Sequence, residues 1–91
     1  MLFAWIGFLN PDAGPIPQDV NRETNAFLEQ PYINIHSVGP LCDDQGRRAG
    51  MLMIFEAEDR AAAEALTANS PYHRAGLYKQ AMLHEYRNEA G

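Results

Sequence analysis

With 91 residues, 46% of them hydrophobic and 21% charged, the chain has the size and composition of one globular domain, residues 1–91. A net charge of -5, with Arg47–Arg48 the only adjacent Lys/Arg pair, argues against nucleic acid as a partner. No apolar run approaches the roughly 20 residues of a membrane helix, so no membrane partner is expected. The single Cys42 cannot close an internal disulfide and suits a reducing cytoplasm.

Met1–Leu9 is short, aromatic and apolar at both alternating sets of positions. It reads as a strand buried on both faces. It lacks the positive flank and cleavage site of a signal peptide. Asn10 to Pro15 is dense in turn formers and forms a loop. Pro17 precedes or opens a helix that carries Val20, Thr24, Phe27 and Leu28 at helical spacing. Pro31 is expected to stop it near Gln30.

Ile33 to Val38 reads as the second strand, which Gly39-Pro40 ends or bends. Asp43 to Gly46 is a polar turn, extended by Arg47 to Gly50. Met51 to Glu56 is the third strand, antiparallel to the second. Asp59 is placed to cap a helix from Arg60 to about Ala68, whose alanines favour helix and close packing on a sheet. Ser70 is a cap and Pro71 a first helical residue of a short further turn. Gly76 closes that turn in the left-handed conformation. Leu77 to about Tyr86 is the fourth strand. The tail, Arg87 to Gly91, is polar and frays.

The order strand, helix, strand, strand, helix, short helix, strand predicts the α+β class, as a split βαβ, ferredoxin-like βαββαβ sheet with helices on one face. Strand one offers Leu2, Ala4, Ile6 and Phe8 to one side and Phe3, Trp5 and Leu9 to the other. Strand three offers Met51, Met53 and Phe55 against Leu52 and Ile54. Leaving several such side chains in water forgoes roughly 1.5–3 kcal/mol each. A second copy packed sheet to sheet is the simplest cover, so a homodimer is the expected partner.

The segment Val38-Gly39-Pro40-Leu41, then Phe55-Glu56-Ala57, an alanine-rich helix and Ser70-Pro71-Tyr72-His73-Arg74-Ala75-Gly76-Leu77-Tyr78 resembles the YciI-like (YCII-related) family. The resemblance covers about residues 33 to 86 and is strongest in the Pro-Tyr-x-x-Ala-Gly-Leu-Tyr stretch. It implies a dimeric α+β barrel with a small pocket near the interface. It also implies, for some members, a histidine–aspartate catalytic pair acting on small organic molecules. The aspartate's place, ahead of Pro-Tyr, is Ser70 here. The histidine's neighbourhood on the first helix is Asn21 and Arg22. Neither member of the pair is present there, so the expectation is a pocket in which catalysis is lost or altered. Serine cannot replace a carboxylate's charge, and arginine stays protonated. Arg22 is instead suited to holding an anion in a two-pronged contact. The substrate-binding candidates are accordingly Asn21, Arg22, Ser70, Tyr72 and His73. No catalytic residue is assigned.

Three histidines remain. His36, in strand two, is a pocket base or a hydrogen-bonded sheet residue at the dimer interface. His73, beside Pro71-Tyr72, is a candidate displaced catalytic histidine, and His84 faces solvent or the partner chain. No metal-ligand spacing and no repeated-glycine phosphate cradle is present, so neither a metal nor a cofactor is expected. Ser70 lacks a nucleophile context. Cys42 sits beside Asp43 and Asp44, which disfavours its thiolate. Tyr72 and Tyr78 line a pocket or fill the core. Three functions follow: a small-molecule-binding dimer, a lyase- or isomerase-type enzyme on small oxygenated or aromatic compounds using His73 or His36, or a non-catalytic accessory domain.

Overall fold

In the computed structural model, residues 1–30 and 33–90 are described. The expected stop at Pro31 and the last tail residue, Gly91, lie outside them. The elements are β1 (Leu2–Leu9), a 3-10 turn (Pro11–Ala13), α1 (Gln18–Leu28), β2 (Asn34–Cys42), β3 (Arg48–Glu56), α2 (Arg60–Ala68), α3 (Pro71–Arg74) and β4 (Tyr78–Tyr86). They form one antiparallel sheet in the order β2-β3-β1-β4. Strands β1 and β2 are therefore parallel to each other and separated by β3, which is the split βαβ layout. The chain is α+β and ferredoxin-like, with its helices on one side of the sheet.

Two-residue alternation sorts the sheet's faces. Phe3, Trp5 and Gly7 of β1 stand opposite Phe55, Met53 and Met51 of β3, and all six are buried beneath the helices. Ala63 of α2, with no surface exposed, lets that helix lie close to Phe3, Trp5, Met53 and Phe55. A second cluster, Met51, Tyr72 and Leu77, gathers Leu9, Ile16 and Val20 at the other end. Each large side chain so buried contributes roughly 1.5–3 kcal/mol. The opposite face carries Leu2, Ala4, Ile6, Leu52, Ile54 and Met82, half-buried, and the exposed Phe8. None of the helices lies over them. Polar side chains edge this face, with Asn34, Glu56 and Ser37 on one flank and Gln80, His84 and Tyr86 on the other.

Local signals place the ends of the elements. Asp59 accepts the Ala62 amide N–H at 2.8 Å and so caps α2. Arg60 donates to the Leu83 carbonyl at 3.0 Å, tying α2 to β4. Gly76, at φ 70°, ends α3 in the conformation that glycine adopts without a Cβ penalty. Asp43 organises the β2–β3 turn. Its Oδ1 accepts the amides of Gln45 and Arg47 at 2.9 Å, and the Arg47 amide chiefly holds its carboxyl below the usual range.

Two expectations are corrected. Gly39-Pro40 neither ends nor bends β2 out of the sheet. Pairing runs on, with Gly39 opposite Leu52 and Pro40 opposite Met51. Proline is tolerated there because β2 is an edge strand, where a missing N–H leaves no ladder bond unmade. Ser70 precedes the first helical residue of α3 but makes no side-chain capping bond.

Tyr78 packs its ring over Gly7, edge-on to Trp5 with centroids 5.3 Å apart. Burial pushes its phenol well above the ordinary value of 10.0. The folded protein thus keeps this proton while the unfolded chain releases it, so stability falls as pH rises past about 10. Ultraviolet titration is expected to show Tyr78 ionising only as the protein unfolds. Ionisation of Tyr78 while the fold is still intact would contradict this.

Candidate functional site

A cleft of about 410 Å3 lies between α1 and the β2–β3 hairpin. Its size suits a single-ring molecule. α1 contributes Asn21, Thr24, Asn25 and Leu28. β2 contributes Val38, Gly39 and Pro40. The remaining wall is Arg48 and Met51 of β3 and Tyr72 of α3. Pro71 fixes the start of α3, so the next side chain, Tyr72, is driven into the core with 2% of its surface exposed. Its ring lies 5.9 Å from that of Tyr78, and only its hydroxyl edge meets polar groups.

Those groups form a chain. Arg48 Nη1 donates to the Tyr72 hydroxyl at 3.3 Å, and the hydroxyl donates to Asn21 Oδ1 at 2.9 Å. The Thr24 hydroxyl is already committed to the Val20 carbonyl, 2.8 Å away. Among the described residues lining the cleft there is no histidine and no carboxylate. A neutral ligand's carbonyl, or an anion, would find hydrogen-bond donors here, and a cation would find no countercharge.

The sequence candidates separate in space. Asn21 and Tyr72 meet in the cleft and are hydrogen-bonded to each other. Arg22 is exposed and does not line it. Ser70 is buried at 4% exposure and does not line the cleft. His73 is exposed and faces a smaller hollow of about 240 Å3 shared with Trp5, Glu64 and Thr67. Arg48, read from sequence as part of a turn, supplies the cation instead. A register break explains this. Leu41 pairs with Gly50 but Cys42 pairs with Arg48, so Ala49 is passed over. Strict alternation from Gly50 would send Arg48 to the helix-free face. The bulge reverses it toward Tyr72. Only the pairing register carries that signal.

A second bulge passes over His36, between Ile35 and Ser37. His36 Nε2 lies 3.0 Å from Glu56 Oε1, and Asn34 donates to Glu56 Oε2 at 2.7 Å. This histidine–carboxylate pair is half-exposed and stands at the edge of the helix-free face, outside the cleft. As a surface pair it adds little stability. Among the described residues no group of three or more His, Cys, Asp or Glu side chains is placed to hold a metal ion.

A family model described as the YCII-related domain matches residues 1–87. Similar solved structures include 5-chloro-2-hydroxyhydroquinone dehydrochlorinase (TftG) from Burkholderia phenoliruptrix, in complex with 2,5-dihydroxybenzoquinone. It is 24% identical, with a TM-score of 0.82 over 96% of this chain and 94% of that one. An antibiotic biosynthesis monooxygenase is 20% identical, with a TM-score of 0.52 over 97% of this chain and 100% of that one. Rv0793 from Mycobacterium tuberculosis is 13% identical, with a TM-score of 0.51 over 99% and 97%. These likenesses show the fold. A search of curated proteins gave no match.

Proposed function

The chain belongs to the YCII-related domain family, and from that premise we propose that it is a homodimeric small-molecule-binding protein whose cleft holds an anionic ligand. The observation that carries the reading is the Arg48–Tyr72–Asn21 chain at the cleft wall. It puts one guanidinium and one amide beside apolar Leu28, Val38, Pro40 and Met51. A flat ring bearing ionised oxygens fits both halves of such a lining. The ligand of the dehydrochlorinase, 2,5-dihydroxybenzoquinone, belongs to that chemical class. The open cleft argues against a purely accessory domain. The want of a histidine or carboxylate in its described lining argues for altered or lost acid–base catalysis. The lone Cys42 suits a cytoplasmic location, and no described helix is long and apolar enough to cross a membrane.

Arg48→Ala is expected to weaken binding of a ring anion, with 2,5-dihydroxybenzoquinone as the probe, by about 30-fold, which corresponds to about 2 kcal/mol for a charge-assisted contact. Titration calorimetry reads this directly. Equal affinity in wild type and variant would remove the cleft as the binding site. A lyase- or isomerase-type enzyme is the second reading, and the His36–Glu56 pair is what favours it. That pair would act on the helix-free face, walled by a second copy. Turnover that survives His36→Gln would end it.

A further inference from the structure

We infer that Tyr72 is a positioning residue that sets which ligand polarity the cleft accepts. By fixing the Asn21 amide and the Arg48 guanidinium as two donors, it builds a cradle for a planar pair of oxygens, a carboxylate or an ionised enol, and turns away groups that offer N–H. This rests on the small-molecule reading of the cleft.

The direction of the hydrogen-bond chain carries the inference. A guanidinium can only donate. Arg48 therefore occupies the acceptor side of the Tyr72 hydroxyl, and the single phenolic proton goes to Asn21 Oδ1. An asparagine amide has one accepting end and one donating end. With Oδ1 held by Tyr72, the amide cannot turn over without losing a bond at the edge of a buried ring. Its Nδ2 has no hydrogen-bond partner among the described residues, and of the guanidinium's N–H groups only Nη1 has one. Both residues are exposed enough to meet a ligand, whereas Tyr72 itself is buried with its hydroxyl satisfied on both sides. Tyr72 thus acts through its neighbours. Asn25, on the same wall, has no such side-chain bond among the described residues and can present either end.

The test uses benzoate and benzamide, which share a ring and a shape but differ in whether the polar group accepts only or also donates. Wild type is expected to prefer benzoate at least tenfold by calorimetry or NMR titration. Tyr72→Phe keeps the ring's packing and frees the Asn21 amide to turn, so the preference is expected to fall to about two- to threefold, a loss in the range of one ordinary net hydrogen bond. Asn21→Leu is expected to reduce it by the same factor. The double variant should lose nothing further, because the two act as one unit. An unchanged preference in Tyr72→Phe, or losses that multiply in the double variant, overturns the role of Tyr72 while leaving the cleft as a site. If Tyr72→Phe fails to fold, Asn21→Leu decides alone, and an unchanged preference there overturns the inference. A folded wild type that binds neither probe overturns the cleft reading and this inference with it.

Discussion

Gly50→Ala is expected to destabilise the fold by about 3 kcal/mol or more, the upper end of over-packing costs. A Cβ at this position would run into the Gly7 carbonyl oxygen of β1 and approach the Gly7 carbonyl carbon at 3.3 Å and the Phe8 Cα at 3.4 Å. These are main-chain atoms of the two inner strands. No rotamer change relieves them, and β1 and β3 must move apart, disturbing the strand pair that carries Phe3, Trp5, Met53 and Phe55. At this chain length the cost corresponds to a melting temperature lowered by on the order of 12 °C. Gly39→Ala is the control. Nothing lies within 4 Å of a Cβ there, and the change is expected to stay within about 0.5 kcal/mol. Thermal or urea melts of the pair read the contrast. Equal melting points would show that β1 and β3 yield at no cost.

Ile54→Asp is expected to turn a homodimer into a 10.2 kDa monomer. Ile54 stands in the middle of the helix-free face, beside Ala4 of β1 and one rung from the Ile6–Leu52 pair. Under the proposed sheet-to-sheet contact, the carboxylate would be buried twice, once per copy, against an apolar surface with no partner. An uncompensated buried charge costs several kcal/mol, which corresponds to at least a hundredfold in dissociation constant. In the single chain the same side chain is only half-buried, so the fold itself should persist by circular dichroism. Sedimentation at micromolar concentration separates the outcomes. If wild type and variant both run as monomers, the proposed pairing is wrong. If both run as dimers, the contact lies on another surface.

Much of the architecture was legible because it follows from short-range rules. The double apolar alternation of β1 and β3 predicts a sheet with grease above and below it, and the two faces carry the expected side chains. Asp59 and the alanine run predict α2, and Pro71 and Gly76 bracket α3. Tyr72 and Asn21 were found through the resemblance, and they touch. What escaped depends on pairing between distant segments. Arg48 faces the cleft only because Ala49 is skipped in the ladder, and His36 meets Glu56 only because it is itself skipped. A one-residue slip reverses every prediction of facing beyond it. Gly50 matters because of a carbonyl in another strand, which nothing in its own neighbourhood announces. Gly39-Pro40 misled for a related reason. Proline opposes a strand only where its nitrogen must donate, and an edge position removes that demand.

The same edge position bears on how copies can add to one another. Strand β2 offers its outer rim to any passing chain, and such rims are where proteins grow into filaments. Here the rim is interrupted by the skipped His36 at one end and by the ring of Pro40 toward the other. A neighbour trying to extend the sheet sideways would find no continuous row of donors. Under the proposed sheet-to-sheet contact, a second copy covers the helix-free apolar face, and stacking on that face stops at two. With the β2 rim interrupted, that proposed contact would favour a closed pair over an open-ended fibre grown through β2.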